Sequence, residues 1–92
     1  MAILFEWDRK KAENNFKKHR VSFVEATSIF KSPLSMTIYD PDHSREEDRF
    51  ITVGMSGHKL LVVVHCDRGN AIRIISAREA TRRERKQYEE TR

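Results

Sequence analysis

Five consecutive apolar residues, Leu60-Leu61-Val62-Val63-Val64, followed by His65, constrain the fold of this chain more than any other feature. Successive side chains of a strand point to opposite faces, so an unbroken apolar strand has to be covered on both. The run falls far short of the ~20 residues that span a bilayer. It is expected at the centre of a sheet. Its flanks agree: Ser56-Gly57-His58-Lys59 before it and Asp67-Arg68-Gly69-Asn70 after it carry the chemistry of tight hairpin turns. Residues 49–55 alternate, with Ile51, Val53 and Met55 on one face and Phe50 and Thr52 on the other. Residues 71–77 make the next strand. Residues 34–39 make a further short one, separated from position 49 by a polar loop over 40–48. Short turns between chain neighbours give an antiparallel meander of three or four strands.

The N-terminal third has another period. Ile3-Leu4-Phe5-Glu6-Trp7 reads as a strand, and Asp8 then stands where a helix N-cap belongs. A polar helix over 9–19 places Ala12 and Phe16 one turn apart, and His19-Arg20 brings positive charge to its C-terminal end. Ser22 and Glu25 have the spacing of a capping box, with Val21 and Ala26 placed to staple it. Phe23, Ala26 and Phe30 then recur at i, i+3 and i+7, so a second helix runs to about Lys31 and stops at Ser32-Pro33. From about Arg78 the chain lacks Gly and Pro and is rich in Arg, Glu, Lys and Gln, which predicts a C-terminal helix. The layout is a single α+β domain over 1–92. It has an N-terminal strand and two helices, an antiparallel sheet of three to four further strands, and a C-terminal helix, with the helices packed on one sheet face.

Composition narrows the class. With 38% hydrophobic residues, three glycines and two prolines, the chain has enough apolar material for a core and no linker-like segment. One cysteine, Cys66, makes no internal disulfide, and no secretory signal pattern opens the sequence, so a soluble cytoplasmic domain is expected. The four histidines, His19, His43, His58 and His65, have no metal-ligand spacing, and the acidic loop around His43 lacks the pattern of a calcium loop. No metal or cofactor is expected.

Charge points to a partner. Eighteen Lys and Arg against fourteen Asp and Glu give +4, and the excess is concentrated in a C-terminal half rich in arginine. On a helix starting at residue 78, Arg78, Arg82, Arg85 and Lys86 fall at i, i+4, i+7 and i+8, a single cationic stripe. It is either a solvated helix face or a surface for a polyanion. Arg73 lies in mid-strand, alternating with Ala71, Ile75 and Ala77, so its guanidinium must pair with a carboxylate, reach water or face a ligand. A sheet face bearing Arg73, with the arginine helix entering beside it, would read phosphates.

Four blocks carry a resemblance: Phe5-Glu6-Trp7-Asp8, then residues 18–26 (Lys18 to Ala26), Ile72-Arg73-Ile74-Ile75-Ser76-Ala77-Arg78, and Thr81-Arg82-Arg83-Glu84-Arg85. In order and spacing they resemble the BrnT toxin family, from about residue 3 to residue 90. The resemblance implies a RelE-like fold and a metal-independent ribonuclease toxin of a type II toxin–antitoxin system. Such a toxin cleaves RNA and so arrests translation and growth. It also implies neutralisation by a BrnA-type ribbon-helix-helix antitoxin, with operator DNA contacted only through that antitoxin and no membrane partner. Family members usually carry glycine where Arg20 stands, so a different helix end is expected here. In such an enzyme the RNA 2′-hydroxyl attacks the adjacent phosphate, and the chain supplies a base, an acid and positive charge. Arg73, Arg78 and Arg82 fit the charge role. His65 and His43 are both candidates for the base, because histidine as a residue type exchanges protons near neutral pH. Arg85 and Lys86 fit backbone binding, and Trp7 fits base stacking. The antitoxin is expected to bring acidic side chains to the cationic stripe. A non-catalytic nucleic-acid-binding module using the same arginines is the competing reading.

Overall fold

A computed structural model describes residues 3–43 and 47–91. Its elements are β1 (Leu4–Glu6), α1 (Arg9–His19), α2 (Phe23–Thr27) extended by a 3₁₀ turn (Ser28–Lys31), β2 (Met36–Tyr39), β3 (Arg49–Ser56), β4 (Lys59–Arg68), β5 (Ala71–Glu79) and α3 (Arg82–Thr91). The five strands form one sheet in the order β1-β5-β4-β3-β2, which puts the apolar run in its centre. β2 to β5 are the antiparallel meander, and β1 adds to β5 in parallel. Gly57 and Gly69 take the left-handed conformation (φ 61° and 64°) that tight two-residue hairpins require. Gly54 answers a different need: a Cβ there would lie 3.0 Å from the Ile29 Cβ, so glycine lets the 3₁₀ turn approach β3 without a shift of either. Among the described residues no helix is long and apolar enough to cross a membrane.

An irregularity in β5 decides which side chains share a face. Val64 pairs with Ser76 but His65 pairs with Ile74, so Ile75 is an extra residue bulged out of the ladder. In an unbroken strand Arg73 would face with Ala77. With the bulge, Ala77 joins Ile74 in the core, whereas Arg73, Ser76 and Arg78 lie opposite Cys66, Val64 and Val62 on the other face. The alternation expected for Arg73 is corrected accordingly.

The core lies between the sheet and the N-terminal helices. Val21, Phe23, Ala26 and Ile29 pack on Leu61, Val63, Ile74 and Ala77, with Phe5, Trp7 and Phe30 at the border. The caps form where expected. Asp8 accepts from the Lys11 N–H, and Ser22 accepts from the Glu25 N–H (both 2.9 Å), although the Glu25 carboxylate turns to Lys59 (3.7 Å) instead of reaching back. α1 ends at Arg20 in the left-handed conformation (φ 61°, ψ 24°), its N–H bonded to the Phe16 carbonyl. The helix end is thus the one a glycine would make, and the expected difference is corrected: arginine bears the strain instead.

A buried amide ties the two layers together. β1 pairs with β5 only as far as Arg73, so beyond it β5 has no strand on that side. Asn15, on α1, fills the gap. Its Oδ1 accepts the Ala77 N–H (3.1 Å), and its Nδ2 donates to the carbonyls of Ala77 (2.8 Å) and Val21 (3.0 Å).

Two sequence-based expectations for the C-terminus are corrected. β5 continues to Glu79, and α3 starts at Arg82, so Arg78 is a strand residue and the four cations do not form one helical stripe. α3 also does not join α1 and α2. It borders a groove with Met36, Val53 and Val62, side chains on the opposite sheet face, and the buried Tyr88 hydroxyl donates to the Leu34 carbonyl (2.8 Å).

Asn15→Ala strands three buried backbone groups at roughly 1–3 kcal/mol each before relaxation, so a loss of about 3 kcal/mol is expected in urea melts. Asn15→Asp keeps only the acceptor and should lose a similar amount. A left-handed residue other than glycine costs about 1–2 kcal/mol, and glycine forfeits about 0.5–1 kcal/mol of chain entropy, so Arg20→Gly should gain about 0.5 kcal/mol in the same assay.

Candidate nucleic-acid interface

The face of the sheet away from α1 and α2 carries a transverse row of charge. Register sets Glu6 beside Arg73, Arg73 beside Cys66, and Cys66 beside Arg49, one residue from each of β1, β5, β4 and β3. With strands about 4.8 Å apart, the Arg73 and Arg49 backbones stand about 10 Å from each other. Arg68 joins them from the end of β4, its Nε 3.9 Å from Glu6. Arg73 is half-buried and makes no ion pair among the described residues. Cys66 is fully buried at the middle of the row. Burial pushes its thiol pKa up, and the neighbouring Glu47 carboxylate, which takes its hydrogen bond, pushes the same way against the pull of Arg68 and Arg73. The sulfur stays protonated and is no nucleophile.

The loop between β2 and β3 closes this end of the sheet. The Asp40 N–H bonds the Arg49 carbonyl (2.9 Å), and the Tyr39 hydroxyl donates to Asp48 (3.0 Å). His43, an exposed residue of this loop, has its Nδ1 2.8 Å from the Asp40 carboxylate, an arrangement that fixes the ring and leaves Nε2 to solvent. His43 and Glu47 belong to the same loop. Glu47 and Arg49 stand in no motif of the sequence. The alternation of 49–55 contained the signal for Arg49, which faces with Ile51.

At the other end α3 begins. The Arg78 guanidinium meets Glu84 side by side, Nη1 to Oε1 at 2.7 Å and Nη2 to Oε2 at 2.8 Å. Glu84 also accepts the Thr81 N–H (2.9 Å), while Thr81 Oγ1 accepts the Glu84 N–H (3.2 Å). This is a capping box, and Thr81-x-x-Glu84 was the sequence signal for the true helix start. The Arg78 hydrogen bonds hold the Glu84 carboxyl well below the ordinary carboxylate range, at about 2. Arg85 is likewise engaged, donating to the His58 carbonyl (3.1 Å) and facing Glu89 (3.7 Å), whereas Arg82 and Lys86 are exposed. From Cys66 to Val62 on β4 is four residues, so Arg78 stands about 14 Å from Arg73.

Two sequence candidates lie elsewhere. His65 points to the helix side, edge-on to Phe30 (4.9 Å) and stacked on Phe50, with Nε2 2.7 Å from Thr52 Oγ1. Burial lowers its pKa against the opposing pull of Asp67, so it is neutral at neutral pH and has no path to the arginine row. Trp7 packs edge-on to Phe23 (5.9 Å) on that same side. The structure brings together Arg73, Arg49, Arg68 and Glu47 around Cys66, and His43 is linked to Arg49 only through Asp40. It does not bring His65 or Trp7 to them.

Residues 7–84 match the profile of a family described as "Ribonuclease toxin, BrnT, of type II toxin-antitoxin system". The chain belongs to this family. Comparison with curated proteins gives no match. Members of the BrnT family are ribonuclease toxins of type II toxin–antitoxin systems, and such a system pairs the toxin with an antitoxin. The matched region contains the arginine row and ends at Glu84; Arg85 and Lys86 lie beyond it.

The Glu84 shift has a testable sign. A carboxyl whose pKa is depressed on folding contributes stability that is present above its unfolded value, 4.5, and lost as pH falls toward about 2. Both partners keep about a third of their side-chain surface in water (38% and 34%), so the contribution is about 1 kcal/mol and not the larger figure the shift alone implies. Glu84→Gln in this BrnT family member should melt lower than wild type at pH 7, with the gap closing between pH 4.5 and 2. A gap independent of pH would assign the loss to the cap alone.

Proposed function

We propose that the arginine row is the RNA-cleaving surface of a metal-independent endoribonuclease. The observation that carries this reading is Arg73. It is a mid-strand guanidinium without an ion-pair partner among the described residues, in line with Arg49 on the sheet face opposite α1 and α2. An arginine so placed needs an anion, and its fork suits phosphate oxygens. In the proposed reaction the RNA 2′-hydroxyl loses its proton to a base and attacks the adjacent phosphorus. The bond to the 5′-oxygen breaks, that oxygen takes a proton, and the products end in a 2′,3′-cyclic phosphate and a 5′-hydroxyl. Arg73 and Arg49 stabilise the extra negative charge on the phosphorane. Glu47 and His43 handle the protons, with Asp40 orienting the imidazole. Arg82 and Lys86 on α3 extend the track for the RNA backbone, and Arg78, held by Glu84, fixes where that helix begins. His65 and Trp7 are left out of the site because they lie on the helix side of the sheet.

The proposal extends to the biology that BrnT membership suggests. This chain acts in the cytoplasm, is neutralised by a BrnA-type ribbon-helix-helix antitoxin, and reaches operator DNA only through it. The complex represses its own operon. Operator DNA should be shifted in a gel by the complex and not by the toxin alone.

The deciding experiment incubates the purified protein with a structured RNA in EDTA and with ribosome-bound messages, and maps the fragment ends. Cyclic phosphate ends are expected. Arg73→Ala and Arg49→Ala should each lower the cleavage rate by ~10²–10³-fold, the usual effect of losing one charge-stabilising donor, with Arg83→Ala near wild type. Intact RNA at high protein excess on both substrates would instead support a binding module. Thermal melts of each variant separate loss of chemistry from loss of fold.

A further inference from the structure

On the side of the sheet away from the arginine row, α1 and α2 leave a groove of about 400 Å³ walled by Trp7, Ala12, Phe16, Phe23 and Val24, with Lys17 at its rim. Its walls are apolar, and two of them are wet: Phe16 is 44% and Val24 68% exposed. Its charged fringe is mixed but predominantly positive. Lys17 and Glu13 line it, and Arg9 and Arg20 are exposed on the same side of α1, with Glu13 held weakly by Arg9 at 3.9 Å. The Arg20 guanidinium lies over the Phe16 ring, 5.2 Å from its centre, which brings positive charge to the lip of the groove.

This combination selects its occupant. A nucleic-acid backbone would satisfy the cations and leave the apolar walls in water. A second copy of this chain, docked through the same patch, would set Arg9, Lys17 and Arg20 against their equivalents with only Glu13 to meet them. A helix with one apolar face and acidic flanks satisfies both features, the usual mode in which an amphipathic segment fills a hydrophobic groove. Membership of a type II toxin–antitoxin family supplies a protein partner. We propose that this groove is the docking site for an acidic amphipathic segment of the antitoxin. The proposal rests on family membership and not on the assignment of the RNA-cleaving surface.

The two surfaces lie on opposite faces of the sheet, so they can be tested apart. The complex is formed with the cognate antitoxin, and affinity is measured for Phe16→Ser, Val24→Asp and Lys17→Glu, all at exposed positions outside the arginine row. Affinity should fall by about 30-fold or more for the first two, as for interface anchors in general. For Lys17→Glu it should fall with reduced salt dependence, while RNA cleavage by the free variants stays at the wild-type rate. Antitoxin affinity within twofold of wild type for all three would overturn the proposal, as would loss of RNA cleavage, which would make RNA the occupant. An independent readout needs no affinity change: V24C offers a thiol in the groove, while Cys66 is fully buried. A bulky maleimide should label it in the free toxin and not in the complex; equal labelling overturns the proposal. Groove variants that lose the antitoxin while wild-type protein cleaves no RNA would sink the nuclease reading and leave the groove standing.

Discussion

A sheet strand that outruns its neighbour leaves backbone groups with nowhere to go, and this fold meets that difficulty with one side chain. β5 extends well past the last residue paired with β1, and Asn15 supplies the missing donor and acceptor to Ala77 while also holding the Val21 carbonyl. The amide thus fixes the height of α1 on the sheet and the path of the chain into α2 together. Everything on the helix side follows from that placement. Phe23, Ala26 and Ile29 can close over Leu61 and Val63 because Val21 is already held, and the groove between the helices takes its width from it.

The bulge at Ile75 does for the other face what Asn15 does for the first. By adding one residue it sends Ala77 inward and Arg78 outward, so that arginines five positions apart in the sequence share a surface. Cationic groups then stand at both ends of that face, one end bordered by the β2–β3 loop and the other by α3. The two ends differ in character. At the loop end Arg73 has no ion-pair partner among the described residues, and at the helix end Arg78 is saturated by Glu84. In the proposed reading, phosphate recognition concentrates at the loop end of that face.

Much of this was legible in local pattern. The unbroken run 60–64 is the central strand, the two glycine turns are hairpins, and Asp8 and Ser22 cap the helices they were expected to cap, because each of these signals acts over a few residues. What could not be read depends on contacts distant in sequence. Asn15 and Ala77 are 62 residues apart, and the bulge is a property of the pairing of β4 with β5. The start of α3 is a different case. Good helix formers run continuously through Arg78, and strand pairing with Val62 overrides their preference until the Thr81 cap. Helix propensity alone therefore puts Arg78 on the wrong element and suggests a stripe that the strand pairing removes.

Glu84 serves two masters, the backbone at the start of α3 and the guanidinium of Arg78. A pair joined only by charge can be inverted over evolutionary time, each partner taking the other's sign, with little loss along the way. Here inversion is closed off. An arginine at position 84 cannot accept the Thr81 N–H, so a reversed pair would regain the attraction and still lose that half of the capping box. The junction between sheet and C-terminal helix is therefore locked to one polarity, and substitutions at 78 have to be compatible with a carboxylate that cannot itself be exchanged.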